Sequence, residues 1–228
     1  MQTGELMRFL VISDIHGNLE NIEKLSSEFE KADAVLFAGD FAEFGKAETG
    51  EPALNLLCKK HDQIFSVLGN CDEPEFLSAL EGKDISVQKM IAFFEGLSVC
   101  GSGGGSKFTG TTPFERTDEE LVSDFSCVDS GEKWHNLIAI MHNPPKDTAC
   151  DMISNGMHVG SPLLREFIEK TEPLAVITGH IHESAGIETL SNTIVINPGA
   201  LAEGKYAILE VSKEDGNWKV DSAVLKNL

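Results

Sequence analysis

Residues 6–18 read LMRFLVISDIHGN. Leu6 to Ser13 is a short apolar run of the kind that spells a strand buried on both faces. It stops abruptly at Asp14, with His16, Gly17 and Asn18 following. Leu19, Ile22, Leu25 and Phe29 then recur at helical spacing, which predicts a helix over Leu19–Lys31. The pattern of strand, polar turn and helix repeats. Ala34–Phe37 is stopped by Gly39-Asp40, a helix is expected around Ala53–His61, and Ile64–Leu68 is stopped by Gly69-Asn70-Cys71-Asp72. Such units predict a layered α/β arrangement whose first strands pair in parallel.

Farther along, Ile85–Phe94 and Leu97–Cys100 read as a hairpin, followed by a glycine-rich stretch, Gly101–Ser106, expected to be a mobile loop. It is not a phosphate-binding P-loop, because the Gly-Lys-Ser/Thr ending is missing. Thr117–Ser126 predicts a helix with Thr117 as N-cap and Glu120 as its capping-box partner. Leu137–Met141 and Leu174–Thr178 are further apolar runs, with a helix over Pro162–Lys170 between them. They end in His142-Asn143 and Gly179-His180-Ile181-His182. Four more strands are expected at Gly186–Leu190, Thr193–Ile196, Tyr206–Val211 and Trp218–Val224. Neither a repeat nor a linker is visible, so residues 1–228 read as one domain.

The polar residues at these strand ends share one chemistry: Asp14, His16, Asp40, Asn70, His142, His180 and His182. A lone Asp after a strand is ordinarily a helix cap, and one His pair is weak evidence of anything. The joint pattern is different, because loops leaving the carboxyl ends of neighbouring parallel strands converge on one crevice. Two carboxylates, one amide oxygen and four imidazoles gathered there suit Zn, Mn, Fe or Ni, whereas Mg or Ca would call for oxygen alone. His180 and His182, two apart on an extended segment, are expected to point the same way.

The 18 Lys+Arg against 37 Asp+Glu give a net charge of −19. That opposes partners held by a diffuse basic face, so long nucleic acids are not expected. Hydrophobic content of 41% and charged content of 24% fit a globular chain. No apolar run reaches membrane-helix length. Five scattered cysteines form no CxxC pair, and Met1 to Leu6 carries no signal-peptide pattern, so a reduced, cytoplasmic protein is expected. The sequence leaves open whether copies of the chain form a homo-oligomer.

Taken in order, Asp14-x-His16-Gly17, Gly39-Asp40, Gly69-Asn70, His142 and Gly179-His180-x-His182 resemble the blocks of the calcineurin-like metallophosphoesterases, from about Leu6 to about Val211. The resemblance implies a four-layer α-β-β-α sandwich with two divalent metal ions at the strand ends. One would be held by Asp14, His16 and His182, the other by Asn70, His142 and His180, with Asp40 bridging. It implies hydrolysis of small phosphodiesters or activated phosphate esters by a metal-bridging hydroxide, with ions about 3.5–4 Å apart clamping the phosphoryl group. Two dications and two aspartates would leave the site at about +2 within an acidic protein, enough to capture a small phosphoester. The different-class alternative is a metallophosphoesterase-fold scaffold that binds partners, and a DNA-repair nuclease is disfavoured by length and charge.

Many members of that family carry a proton-donating His where this chain has Cys71, and a thiol of ordinary pKa near 8.5 is a poor acid at neutral pH. Leaving groups that need little protonation are therefore expected. His158 is a candidate for the missing acid or a substrate contact. Asn18 and Asn70 are candidates to touch the phosphate, and Arg116 and Lys107 could supply positive charge to it. His61 and His135 read as surface residues, and Phe108–Asp129 with Pro144–Gly160 as the specificity surface.

Overall fold

The computed structural model describes residues 6–108, 110–128 and 131–228. Residues 1–5, which belong to the reading of the N-terminus, and Thr109 and Asp129 of the expected specificity surface lie outside the described residues. Strand β1 (Leu6–Ile12) follows directly from its sequence. Met7, Phe9 and Val11 enter one apolar core, whereas Leu10 and Ile12 enter another, which is why the run is continuously apolar. Helices α1 (Leu19–Lys24) and α2 (Ser26–Phe29) follow, then β2 (Ala34–Phe37), α3 (Gly50–Lys60), β3 (Ile64–Ser66) and α4 (Leu77–Glu81).

The second half begins with β4 (Ile91–Phe94), β5 (Leu97–Ser102), the two-residue β6 (Gly105–Ser106) and β7 (Glu115–Arg116), and α5 (Asp118–Ser123). After these come β8 (Leu137–Met141), α6 (Pro162–Thr171) and β9 (Ala175–Ile177). The chain ends in β10 (Gly186–Leu190), β11 (Thr193–Asn197), β12 (Lys205–Glu214) and β13 (Asn217–Asn227). One sheet runs β13-β12-β1-β2-β3 and a second runs β10-β11-β9-β8-β5-β4. Pairing is parallel through β1, β2 and β3, and again through β5, β8, β9 and β11.

Three apolar cores define four layers. Phe9, Leu36, Ile138 and Ile177 pack between the two sheets. Ile22, Phe29, Leu54 and Leu57 cover the first sheet from α1 to α3, and Leu121, Leu164 and Ile168 cover the second from α5 and α6. Each fully buried Leu, Ile or Phe contributes about 1.5–3 kcal/mol of transfer free energy. The expected α-β-β-α sandwich is the architecture found.

Three local expectations need correction. The helix predicted over Leu19–Lys31 is broken at Leu25 (φ −82°, ψ 4°). Ser26 Oγ there donates to the Glu23 carbonyl at 2.6 Å, a local bond that competes with the helical ladder. The hairpin's first strand begins only at Ile91, because Ser86 and Gln88 bridge to Ser66 and Gly101 instead. Gly101–Ser106 is a buried or half-buried strand, turn and strand rather than a mobile loop. A Cβ on Gly103 would lie 2.2 Å from Gln88 Oε1 and 2.8 Å from the Leu68 carbonyl, so that glycine answers crowding. The capping box at α5 forms as predicted: Glu120 N–H donates to Thr117 Oγ1 at 3.2 Å, and Thr117 N–H to the Glu120 carboxylate at 2.7 Å.

Candidate metal centre

The loops leaving β1, β2, β3, β8 and β9 meet at one end of the two sheets. They are sewn together by the backbone: Asp14 N–H donates to Gly39 O (2.9 Å), His16 N–H to Asp40 O (3.0 Å) and Gly179 N–H to His142 O (3.1 Å). Asp14 (φ 54°), His16 (φ 47°), Asp40 (φ 63°) and His180 (φ 66°) all take the left-handed conformation that side chains disfavour. Such residues cost on the order of 1–3 kcal/mol each and persist where the surroundings over-determine them. The glycines beside them answer close approach. A Cβ on Gly69 would stand 1.9 Å from Asp40 Oδ1.

Two groups of donors result. In the first, Asp14 Oδ1 lies 3.2 Å from His182 Nε2 and 3.8 Å from His16 Nε2, and the two imidazole nitrogens are 3.2 Å apart. In the second, His142 Nε2 lies 2.8 Å from Asn70 Oδ1, and the rings of His142 and His180 are 5.2 Å apart. Asp40 Oδ2 stands between the groups, 3.7 Å from His16 Nε2 and 3.5 Å from His142 Nε2. All seven strand-end residues named from the sequence are therefore brought together. The expectation that His180 and His182 would point alike fails: the left-handed turn at His180 sends its ring to His142 and that of His182 to His16.

The donors fit a cation. Asp14 Oδ1 is buried and makes no hydrogen bond among the described residues. His16 Nδ1 meets the Ala42 carbonyl at 3.1 Å and His142 Nδ1 the Ala38 carbonyl at 2.6 Å. Each carbonyl favours the proton on Nδ1, which leaves the Nε2 lone pair aimed into the site. Burial and the nearby His142 push His180 down to about 3, so its imidazole stays neutral. Burial alone would raise the Asp14 carboxyl, but its contact with His182 and the surrounding imidazoles hold it below the usual carboxylate range. Asp14, His16 and His182 can share one ion, and Asp14, Asp40 and His142 are also close enough to do so.

A cleft of about 460 Å³ opens over this cluster, with Cys71, Phe44, Thr111 and Thr112 on its walls. Cys71 N–H donates to Asp40 Oδ1 at 2.8 Å. Burial, then the charge of Asp40, raise its thiol far above the ordinary value. Asn18 is used elsewhere: its side chain accepts from Asn21 N–H at 3.2 Å to cap α1 and donates to Ala202 O. His158 is not on the cleft walls; its Nδ1 contacts Asp151 Oδ1 at 2.7 Å, and that bond raises its pKa. Arg116 is buried and held by Asp124 (2.6 and 2.8 Å) and by the Gly103 and Glu120 carbonyls, so its charge is not free for a phosphate. Lys107 is exposed beside a neighbouring pocket with Ser106 and Thr117. His135 is exposed as expected, whereas His61 is half-buried, its Nε2 on the Ala32 carbonyl and its Nδ1 accepting from Gln63 N–H.

Sequence reasoning missed Asp72. Its buried carboxylate accepts from Gly69 N–H (2.8 Å), Asp40 N–H (3.1 Å), Phe41 N–H (3.3 Å) and Ala42 N–H (2.9 Å), fixing the Asp40 loop to the Asn70 loop. Burial and the Asp40 charge raise this carboxyl, and the backbone donors pull it back. Its position two residues past Asn70 was the available signal. Phe44, on the cleft wall, gave none.

A family model described as calcineurin-like phosphoesterase matches residues 7–184. The chain is 32% identical over 198 residues to the uncharacterized protein MJ1162 of Methanocaldococcus jannaschii, covering 84% of this chain and 88% of that one. Its fold is similar to the crystal structure of TT1561 of Thermus thermophilus, with a TM-score of 0.72 at 20% identity over 98% of this chain and 99% of that one. It also resembles a structure described as a novel archaeal phosphodiesterase, with a TM-score of 0.53 at 18% identity over 96% and 100% of the two chains. With the strand-end cluster in place and more than half of its length matched, the chain belongs to the calcineurin-like phosphoesterases, a metal-dependent family of phosphoric ester hydrolases.

Proposed function

We propose that residues 1–228 form a single domain that hydrolyses small phosphodiesters or activated phosphate esters with two divalent ions, Mn, Fe, Ni or Zn. The observation that carries this reading is the division of donors into Asp14–His16–His182 and Asn70–His142–His180, with one Asp40 oxygen within 3.7 Å of the first and 3.5 Å of the second. Bound there, such ions would polarise phosphoryl oxygens and activate water near neutral pH. The chain's own residues supply positioning. The Ala42 and Ala38 carbonyls aim the His16 and His142 rings, and Asp72 holds the Asp40 loop. Asn70 lines the cleft, which supports a contact with the phosphate as well as with an ion.

Cys71 stands where an imidazole would donate a proton, and a thiol of ordinary pKa near 8.5 is a poor acid at neutral pH. The leaving group must then depart as a stable anion, which favours aryl esters and diesters over alkyl monoesters. The net charge of −19 supports small substrates over polyanions. The fold shared with a protein described as an archaeal phosphodiesterase is in keeping with a diester substrate. Among the described residues no helix is long and apolar enough to cross a membrane.

The test is to strip the protein of metal, reload it with each candidate ion, and measure bound metal beside hydrolysis of bis(p-nitrophenyl) phosphate. Two ions per chain and turnover are expected, with Asp40→Ala losing at least about a hundredfold, beyond what supporting residues cost. A loaded but inert protein would refute the reading. Equal rates on alkyl monoesters and aryl diesters would refute the leaving-group argument.

A further inference from the structure

We propose that Phe44 selects the organic group of the substrate by stacking against a flat aromatic ring, aryl or nucleobase, on a phosphoester whose phosphoryl group lies at the strand-end cluster. This rests on the phosphoesterase reading above. Phe44 is 55% exposed; a single exposed apolar side chain is ordinary on a surface, and what distinguishes this one is its place. It lines the same cleft as His16, Asp40, Asn70 and Cys71. Phe93 and Phe108, the other strongly exposed phenylalanines among the described residues, do not.

The ring is carried on a braced turn. Lys46 N–H donates to Glu43 O at 2.9 Å, Glu43 N–H to Thr49 Oγ1 at 2.8 Å, and Lys46 Nζ meets the Glu43 carboxylate at 2.7 Å. One residue earlier, Ala42 N–H is gripped by Asp72 at 2.9 Å. The backbone that carries the ring is therefore already ordered, and that part of the cost of docking does not fall on binding. Glu43 also lines the cleft with its carboxylate already paired to Lys46, so the wall beside Phe44 offers a flat apolar face and, among the described residues, no free cation for a second anionic group. Stacking a base or aryl ring on an aromatic side chain is worth about tenfold or more in affinity.

The experiment uses non-hydrolysable phosphonates and calorimetry on the metal-loaded protein, comparing phenyl- and benzylphosphonate with methylphosphonate. The wild type is expected to bind at least one aromatic ligand about tenfold more tightly than methylphosphonate. Phe44→Ala should cut that ratio below about threefold, and Phe44→Trp should restore it. Methylphosphonate binding that requires metal and is lost in Asp40→Ala reports on the phosphoryl site alone. If methylphosphonate binds so but the rings bring no advantage, or their advantage survives Phe44→Ala, the stacking proposal is overturned and the phosphoesterase reading stands. If no phosphonate binds, both fall.

Discussion

Replacing Asp72 by Asn tests whether the carboxylate that joins two loops is what holds the candidate centre together. Its Oδ2 takes three backbone N–H groups, from Gly69, Asp40 and Phe41, and its Oδ1 takes that of Ala42. An amide can satisfy only one side. With its oxygen on the three-donor side, its NH₂ faces the Ala42 N–H, donor against donor. That forfeits one bond to a charged acceptor, about 1.5–3 kcal/mol, and weakens the other three to neutral strength. Relief from burying a charge beside Asp40 returns part of this, which leaves a net loss of about 3 kcal/mol. For a chain of this length that is roughly 6–12 °C in Tm. Urea and thermal unfolding of the metal-free protein would measure it, with metal titration alongside, because slack in the Asp40 loop should weaken ion binding about 10–100-fold. A variant that unfolds at the wild-type midpoint and binds metal as tightly would show that the carboxylate does not carry the loop.

Other outcomes follow from single contacts. Cys71→His places an imidazole acid on the cleft wall, and the rate on an alkyl-leaving substrate should rise relative to an aryl one, measured as a ratio of kcat/KM. An unchanged ratio would remove proton delivery as the limit on alkyl esters. Thr117→Ala breaks the capping box of α5 and should cost about 1 kcal/mol, some 2–4 °C in Tm by calorimetry. Asp151 raises the pKa of His158, so their contact supports the fold fully below about pH 6.5, and that support fades as pH rises through the folded-state value. An NMR titration should find His158 above its ordinary pKa in the wild type and close to it in Asp151→Asn; identical curves would refute the pairing.

Much of the centre was legible because its residues interrupt apolar runs. Asp14, Asp40, Asn70, His142 and His180 each follow a strand buried on both faces, and parallel pairing sends such ends to one side. What escaped depends on distant neighbours. The four donors of Asp72 come from two loops, three of them about thirty residues away, and no local pattern announces them. The Gly101–Ser106 stretch misled because crowding and flexibility select the same residue, and only the Gln88 side chain and Leu68 carbonyl reveal which applies. Leu25 keeps the helical period of its neighbours, yet Ser26 ends the ladder. The divergence of His180 and His182 follows from a backbone angle, which alternation rules cannot foresee.

Strand β1 has β12 as its neighbour on one side, pairing Leu6 with Ser212 and Val11 with Ala207. The loop beyond it receives backbone hydrogen bonds from Leu201 to Ser13 and from Ala202 to Asp14. These contacts lie beyond residue 184, where the match to the family model stops. During synthesis the segment bearing Asp14 and His16 precedes β12 by most of the described chain and waits, one edge open, for that partner. Pairings of such long sequence separation form slowly and leave unpaired edges at risk of association. The same order means that Asp14 and His16 are made well before the strand and loop that brace them, so their frame is complete only after Leu201, Ala202 and β12 have followed.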